Sequence, residues 1–104
     1  MTPYTYLFIR EDLPHTQQII QSAHSALEAG REFPEHHGTS HLVLLPAEDE
    51  TTLLSISLYL TNEGIRHHIF YEPDFNYGYT SITTEPIYGA GRKALAHFKL
   101  KGKL

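Results

Sequence analysis

The sequence has no cysteine, no run of about 20 apolar residues and few basic side chains, and each absence excludes a class of structure or function. Without cysteine the chain can form neither a disulfide framework nor a thiolate nucleophile, and it cannot build a zinc or iron–sulfur site that needs cysteine ligands. The N-terminus lacks the basic start and apolar segment of a signal peptide. We therefore expect a soluble cytoplasmic protein with no membrane partner.

Positive charge is scarce and unevenly distributed. Eight lysines and arginines stand against twelve aspartates and glutamates, so the formal charge is -4 with the histidines neutral. This balance argues against a surface dominated by nucleic-acid contacts. Because five of the eight basic residues lie within positions 92–103, any basic contact surface is expected near the C-terminal end of the sequence.

The length of 104 residues and a hydrophobic fraction of 40% fit one domain that spans residues 1–104. Apolar and β-branched runs predict four strands, and helical spacing or helix-end signals predict three helices. The order β-α-β-α-β-β-α predicts an α/β fold with helices on both sides of a sheet. The predicted strands are 4–9, 41–45, 67–72 and 79–84, and the predicted helices lie near 12–30, 47–64 and 91–100.

The segment 47–64 carries two conflicting patterns. Residues 54–60 alternate between apolar and polar side chains, as a strand does. The acidic cluster 48–50 suits the first turn of a helix, and Gly64 suits the end of one. We interpret the segment as a helix that connects two strands. A strand at 53–60 would instead indicate a small ferredoxin-like regulatory domain.

The first predicted helix has two distinct faces. Apolar residues between Ile19 and Leu27 recur at helical spacing and form one face. The stripe roughly opposite is polar and is expected to face solvent: Gln17, Gln21, His24 and Glu28. This polar stripe is either a binding face, with His24 as a general base near neutral pH, or an ordinary solvated helix surface.

The turn after the third predicted strand holds further candidates. Glu72 and Asp74 form either an acid/base pair or cation site, or two solvated residues beside a proline turn. Two aromatic side chains lie in the same turn, Phe75 and Tyr77. They either pack in the core or form an interface with a partner.

The eight histidines do not match a metal-binding motif. Adjacent residues on a strand point to opposite faces, so His67 and His68 cannot both join one site. The other adjacent pair, His36 and His37, lies in a predicted loop, and neither an H-E-x-x-H motif nor a cysteine partner is present. We therefore predict no metal site and no cofactor.

Four segments resemble, in the correct order, the type II peptidyl-tRNA hydrolase family, whose members cleave the ester between a peptide and tRNA. Residues 9–13, IREDL, are similar to the family's R-x-D-L at the end of its first strand. Residues 21–26, QSAHSA, resemble the helix motif A-Q-C-A-H-A. Residues 64–72, GIRHHIFYE, are similar to G-L-P-H-A-L-I-R-D, and residues 97–100, HFKL, resemble a terminal H-L-K-L.

The resemblance implies a three-layer α/β/α sandwich with a mixed four-stranded sheet, a homodimer and an active site of three positions. The family's lysine, aspartate and threonine positions fall on Gln17, Glu72 and Asn76, and Gln21, His24 and Asp74 are the expected binding residues. The amide of Gln17 carries no charge, so it cannot stabilise an oxyanion as an ammonium group would.

Two functions are compatible with these residues. One is a divergent hydrolase that acts on peptidyl-tRNA, with Glu72 as base or orienting carboxylate for a water molecule. The other is a non-catalytic homologue that serves as a dimerising module or binds a small ligand.

Overall fold

The mixed β-sheet at the centre of the fold is seen in a computed structural model that describes residues 2–35, 38–99 and 101–103. Two α-helices and two 3₁₀ helices connect or follow its strands. The strands are β1 (Tyr4–Arg10), β2 (His41–Ala47), β3 (His67–Glu72), β4 (Gly78–Thr84) and the two-residue β5 (Gly102–Lys103). The α-helices are α1 (His15–Glu32) and α2 (Glu50–Asn62), and the 3₁₀ helices are Asp74–Asn76 and Gly89–Leu95.

The strands follow the order β3-β4-β1-β2-β5. Strands β1 and β2 are parallel, whereas β4 runs antiparallel to both β1 and β3. The carboxyl ends of β1, β2 and β3 therefore meet at one edge of the sheet. The four main strands form the mixed sheet that was expected, and the short β5 extends it by pairing with β2.

One face of the sheet carries the apolar core. Side chains from β1, β2 and β4 pack there against α2 and the 3₁₀ helix Gly89–Leu95. The interpretation of 47–64 as a helix is confirmed over Glu50–Asn62. Asp49 caps this helix, because its side chain accepts a hydrogen bond of 2.8 Å from the Thr52 backbone N–H. The largest fully buried side chains of this core are Phe8, Leu45, Leu53, Leu60 and Ile82.

The other face is covered by α1, whose orientation differs from the sequence-based prediction. Of the polar stripe, Gln21 is buried, Gln17 and Glu28 are half-buried, and His24 is exposed as predicted. Gln21 and Ser25 are fully buried against the sheet, whereas Ile19 and Leu27 are about 60% exposed. The reason lies in β4, which presents buried hydroxyl groups to α1. Buried hydroxyls require hydrogen-bond partners, and α1 supplies them through the Gln21 side chain, the Ser25 hydroxyl and the Gln21 backbone carbonyl.

Several element ends also differ from prediction. Helix α1 was predicted near 12–30, but it begins at His15, after Pro14, and continues through Gly30 to Glu32. Gly30 does not end the helix because the next turn is stabilised by burial of Ala29 and Phe33. The last predicted helix is a 3₁₀ helix that ends at Leu95, and Leu100 lies outside the described residues.

Two other expectations concern membranes and metals. Within the described residues, no helix has both the length and the apolar character required to cross a bilayer. The same residues contain no cluster of three or more histidine, aspartate or glutamate side chains that could hold a metal ion. His36 and His37 lie outside the part of the chain that the structure describes.

Candidate functional site

The side-chain amide of Gln21 is the centre of a polar cluster between α1 and the sheet. Its Nε2 donates to Glu72 Oε1 at 2.9 Å and to Gln17 Oε1 at 3.3 Å. Its Oε1 accepts from the Thr80 hydroxyl at 2.8 Å. Because a carboxylate only accepts hydrogen bonds, the contact with Glu72 fixes which end of the amide carries the nitrogen. Both donor positions and the carbonyl oxygen of Gln21 are thus occupied.

Each member of this cluster is positioned by a regular element. Gln17 and Gln21 are four residues apart on α1 and are therefore neighbours on its surface. Glu72 is the last residue of β3, at the edge where three strands end. Three of the sequence-predicted residues, Gln17, Gln21 and Glu72, are brought together by this arrangement.

Thr80 reaches Gln21 because the pairing between β3 and β4 is irregular. Phe70 pairs with Ser81 and Tyr71 pairs with Tyr79, so Thr80 is an extra residue in β4. Such a bulge redirects side chains, and it lets Thr80 and Ser81 both face α1. The Ser81 hydroxyl donates to the Gln21 backbone carbonyl at 2.7 Å. These two hydroxyl residues were missed by the sequence analysis, although their adjacency in a β-rich segment was visible.

Two groups of the cluster remain available for a ligand. Among the described residues, no side chain or backbone group binds Glu72 Oε2, and the Gln17 amide nitrogen donates to none of them. Both side chains are half-buried. The cluster thus offers one anionic acceptor and one neutral donor, on two side chains that share the Gln21 amide nitrogen. It includes no lysine or arginine.

His24 lies next to the cluster on α1. Its ring stacks on Phe70 of β3, with centroids 4.6 Å apart and planes inclined by 5°. In the described part of the chain the His24 ring forms no hydrogen bond with Gln17, Gln21 or Glu72. The contact between α1 and β3 continues to His68 Nδ1, which lies 2.9 Å from Glu32 Oε1.

Asp74 and Asn76 lie in the exposed turn beyond Glu72. Both belong to the 3₁₀ helix, in which Phe75 and Asn76 have φ angles of +58°. Bulky side chains are uncommon in this left-handed region, and the Phe75 ring is 78% exposed. Within the described residues, neither Asp74 nor Asn76 hydrogen-bonds to the Gln21 cluster, so the structure leaves both apart from the three residues that converge.

Arg10, the last residue of β1, holds the connection between β3 and β4 in place. Its guanidinium binds both carboxylate oxygens of Asp12, at 2.9 and 2.8 Å, and donates to the backbone carbonyls of Tyr77 and Tyr79. The hydrogen bond to Asp12 raises the pKa of Arg10, so the guanidinium stays charged and structural. The R-x-D segment noted in the sequence therefore positions the β3–β4 connection and contributes no free cation to the site.

Gly78 completes the same connection. It has a φ of +74°, and a Cβ at this position would overlap the carboxylate of Glu50. Glu50 Oε2 accepts a hydrogen bond of 2.8 Å from the Tyr79 backbone N–H. The first residue of β4 must therefore be small, so that Glu50 of α2 can form this hydrogen bond to the strand.

A scan against models of protein families found no match for this chain, and a search of curated proteins found no significant relative.

Proposed function

We propose that this domain is a divergent relative of the type II peptidyl-tRNA hydrolases and slowly hydrolyses an ester of the peptidyl-tRNA type. The observation that supports the proposal is the shared hydrogen bonding of Gln21 Nε2 with Glu72 and Gln17. Gln17 and Glu72 are the residues on which two of the family's three catalytic positions fall.

In this mechanism Glu72 activates a water molecule. Gln21 holds Oε1, which leaves Oε2 to accept a proton from water as the water oxygen attacks the ester carbonyl. The carbonyl oxygen becomes an oxyanion, to which the Gln17 amide donates. Collapse of this intermediate breaks the ester bond, and the leaving 3′ oxygen of the ribose takes the proton back from Glu72.

The reaction is expected to be slow because the donor is neutral. Removing one oxyanion donor from an enzyme costs about a hundredfold to a thousandfold in rate, and an uncharged amide in place of an ammonium group is a partial loss of the same kind. Positive charge for tRNA phosphates would have to come from the C-terminal region. There the guanidinium of Arg92 already lies over the Tyr4 ring and donates to the Tyr6 hydroxyl, whereas Lys93 and Lys99 are exposed.

The test mixes purified protein with an N-acetylated aminoacyl-tRNA whose amino acid is labelled. The rate of ester cleavage is measured as the release of that labelled amino acid. Glu72→Gln should lower the rate at least a hundredfold, because the amide cannot accept the proton. Gln17→Lys should raise it about tenfold by restoring a cation. The matched control is Glu48→Gln, an exposed acid at the same sheet edge outside the cluster, which should leave the rate unchanged. Release no faster than with Glu72→Gln would reject hydrolysis.

A second candidate is a binding module without catalysis. The observation in its favour is that Gln17 contributes an uncharged donor beside the Glu72 acceptor, a pair suited to hold a neutral polar ligand. An NMR titration with an N-acetylated 3′-aminoacyl-adenosine analogue, which is neutral, would test it. Binding lost in Glu72→Gln and unaffected by Asn76→Thr, with no ester cleavage, would favour this candidate over the hydrolase.

A further inference from the structure

A serine of α2 and a histidine of β3 form a close pair at the edge of the sheet. Ser57 Oγ lies 2.7 Å from His67 Nε2, and both side chains are half-buried. The other ring nitrogen, His67 Nδ1, lies 3.0 Å from the backbone carbonyl oxygen of Ile65. A hydroxyl, a base within hydrogen-bond reach and a third group that orients the base are the parts from which an activated serine nucleophile is built.

The contact with Ile65 assigns the tautomer of the His67 ring. A carbonyl oxygen can only accept a hydrogen bond, so Nδ1 carries the proton. In the neutral ring Nε2 is then an acceptor, and the Ser57 hydroxyl is the donor. Serine hydroxyls inside helices often donate to the backbone carbonyl four residues earlier, whereas this hydroxyl donates to a base. The pair is therefore arranged for transfer of a proton from serine to histidine.

We propose that Ser57 is a nucleophile activated by His67 and that it accepts an uncharged acyl group from an activated ester. The Ser57 oxygen attacks the ester carbonyl carbon and forms a new C–O bond, while His67 Nε2 takes the hydroxyl proton. When the original ester bond breaks, the leaving oxygen takes that proton from Nε2, and the acyl group stays on the serine until water hydrolyses it. This inference does not depend on the proposed function, because His67 begins β3 whereas Glu72 ends it.

A depression beside the pair provides space for the acyl group. It has a volume of about 470 Å³, and both His67 and Thr61 line it. Thr61 lies four residues after Ser57 and is therefore its neighbour on the surface of α2. Small-molecule sites commonly have volumes of about 300–1,000 Å³, so a short acyl group with its leaving group fits in this depression.

The two formally charged residues that line the depression already have partners. Arg66 binds the carboxylates of Glu35 and Glu85, and Glu32 Oε1 lies 2.9 Å from His68 Nδ1. A charged acyl group would have to compete with these contacts. The depression therefore favours an acyl group without charge.

The reaction is limited to esters that have a good leaving group. The backbone N–H groups around Ser57 lie inside α2, where each donates to a carbonyl one turn earlier. They cannot stabilise the oxyanion that forms on the substrate, and one such donor is worth about a hundredfold to a thousandfold in rate. The expected substrates are therefore aryl esters, whose leaving group is a stable anion.

The test incubates the full chain with p-nitrophenyl butanoate. Tandem mass spectrometry of the digested protein follows the acylated fraction of Ser57 over time. His67→Gln should lower the rate of Ser57 acylation at least about a hundredfold, because it removes the general base. The matched control is His68→Gln, since His68 is the adjacent histidine but contacts Glu32 of α1, and this variant should acylate as the wild type does. Ser55, an exposed serine on the same helix, should acylate far more slowly than Ser57 in the same digest.

A thiol placed at the same position tests the activation separately. Because the chain has no cysteine, Ser57→Cys introduces its only thiol. Iodoacetamide should alkylate this variant at least about tenfold faster than the double variant Ser57→Cys with His67→Gln, because the imidazole accepts the thiol proton. Ser55→Cys should react at the same rate with and without His67→Gln, and circular dichroism checks that each variant is folded. No acyl group on Ser57, equal acylation in His67→Gln and wild type, or alkylation independent of His67 would each overturn the proposal.

Discussion

Helices α1 and α2 cover opposite faces of the same sheet, yet different interactions attach them. Between α2 and the sheet lie apolar side chains such as Phe8, Leu53 and Ile82. Between α1 and the sheet lie hydrogen-bonded polar groups, among them Gln21 and Ser25, beside buried apolar side chains such as Ile9 and Ala29. Apolar burial is non-directional, whereas each buried polar group must meet a specific partner.

This difference separates stability from chemistry within one small domain. The apolar face can stabilise the fold without constraining individual atoms. The polar face holds the Gln21 amide and the Glu72 carboxylate in fixed positions, as a binding or catalytic site requires. It also turns the apolar side of α1 outward, so the polar site and the exposed apolar surface are two consequences of one packing choice.

The largest expected effect is on the apolar face. Phe8→Ala should lower the free energy of unfolding by about 3–5 kcal/mol, because it removes a fully buried ring and leaves a cavity. Urea denaturation followed by circular dichroism measures this change. Leu58→Ala, on the exposed side of α2, should change stability by no more than about 0.5 kcal/mol. Equal losses in the two variants would contradict the assignment of the core to this face.

An intermediate effect is expected on the polar face. Ser25 Oγ lies 2.8 Å from Thr83 Oγ1, and both residues are buried. Ser25→Ala should cost about 1–3 kcal/mol because it leaves the Thr83 hydroxyl unpaired. The double variant Ser25→Ala with Thr83→Val should recover part of that loss, since it removes both polar groups.

The same urea experiment on the two single variants and the double variant gives the coupling energy. Additive losses would mean that the two hydroxyls act independently, and the polar face would then not be held by paired groups.

The sequence predicts the elements better than the contacts between them. The bounds of β3 were predicted because its β-rich run is local, and α2 was predicted from its acidic first turn and Gly64. The orientation of α1 could not be predicted in the same way. Helical spacing divides the residues into an apolar and a polar face, but the hydroxyls on β4, distant in sequence, decide which face is buried.

The candidate site shows the same limit. The spacing of Gln17 and Gln21 indicates that they are neighbours on a helix, and family resemblance adds Glu72. That Glu72 meets Gln21 depends on which strand lies beneath α1. The role of Thr80 depends on a bulge in the pairing of β3 with β4, which no local pattern encodes. The resemblance also implied Asn76, but in the structure Asn76 lies in the exposed turn beyond Glu72 and apart from the cluster.

The smallest expected effect concerns how the two helices begin. Helix α2 has a side-chain cap from Asp49, whereas α1 begins after Pro14 with no side-chain cap. The hydrogen bonds from Thr52 lower the pKa of Asp49. A carboxyl whose pKa is lower in the folded state stabilises the fold fully above its unfolded pKa, here about 3.8, and that contribution is lost as the pH falls through the folded value.

Asp49→Asn keeps a side chain that can cap α2 but removes its negative charge. Asparagine caps a helix about as well as aspartate, so the melting temperature at pH 7 should change by no more than about 2 °C. Between about pH 4 and pH 2 the wild type should lose more stability than the variant, because only the wild type has this carboxylate to protonate. Thermal melts across that range measure the difference between the two curves. Parallel curves would mean that the start of α2 does not depend on the charge of Asp49, and that α2, like α1, is held in place by its contacts with the sheet.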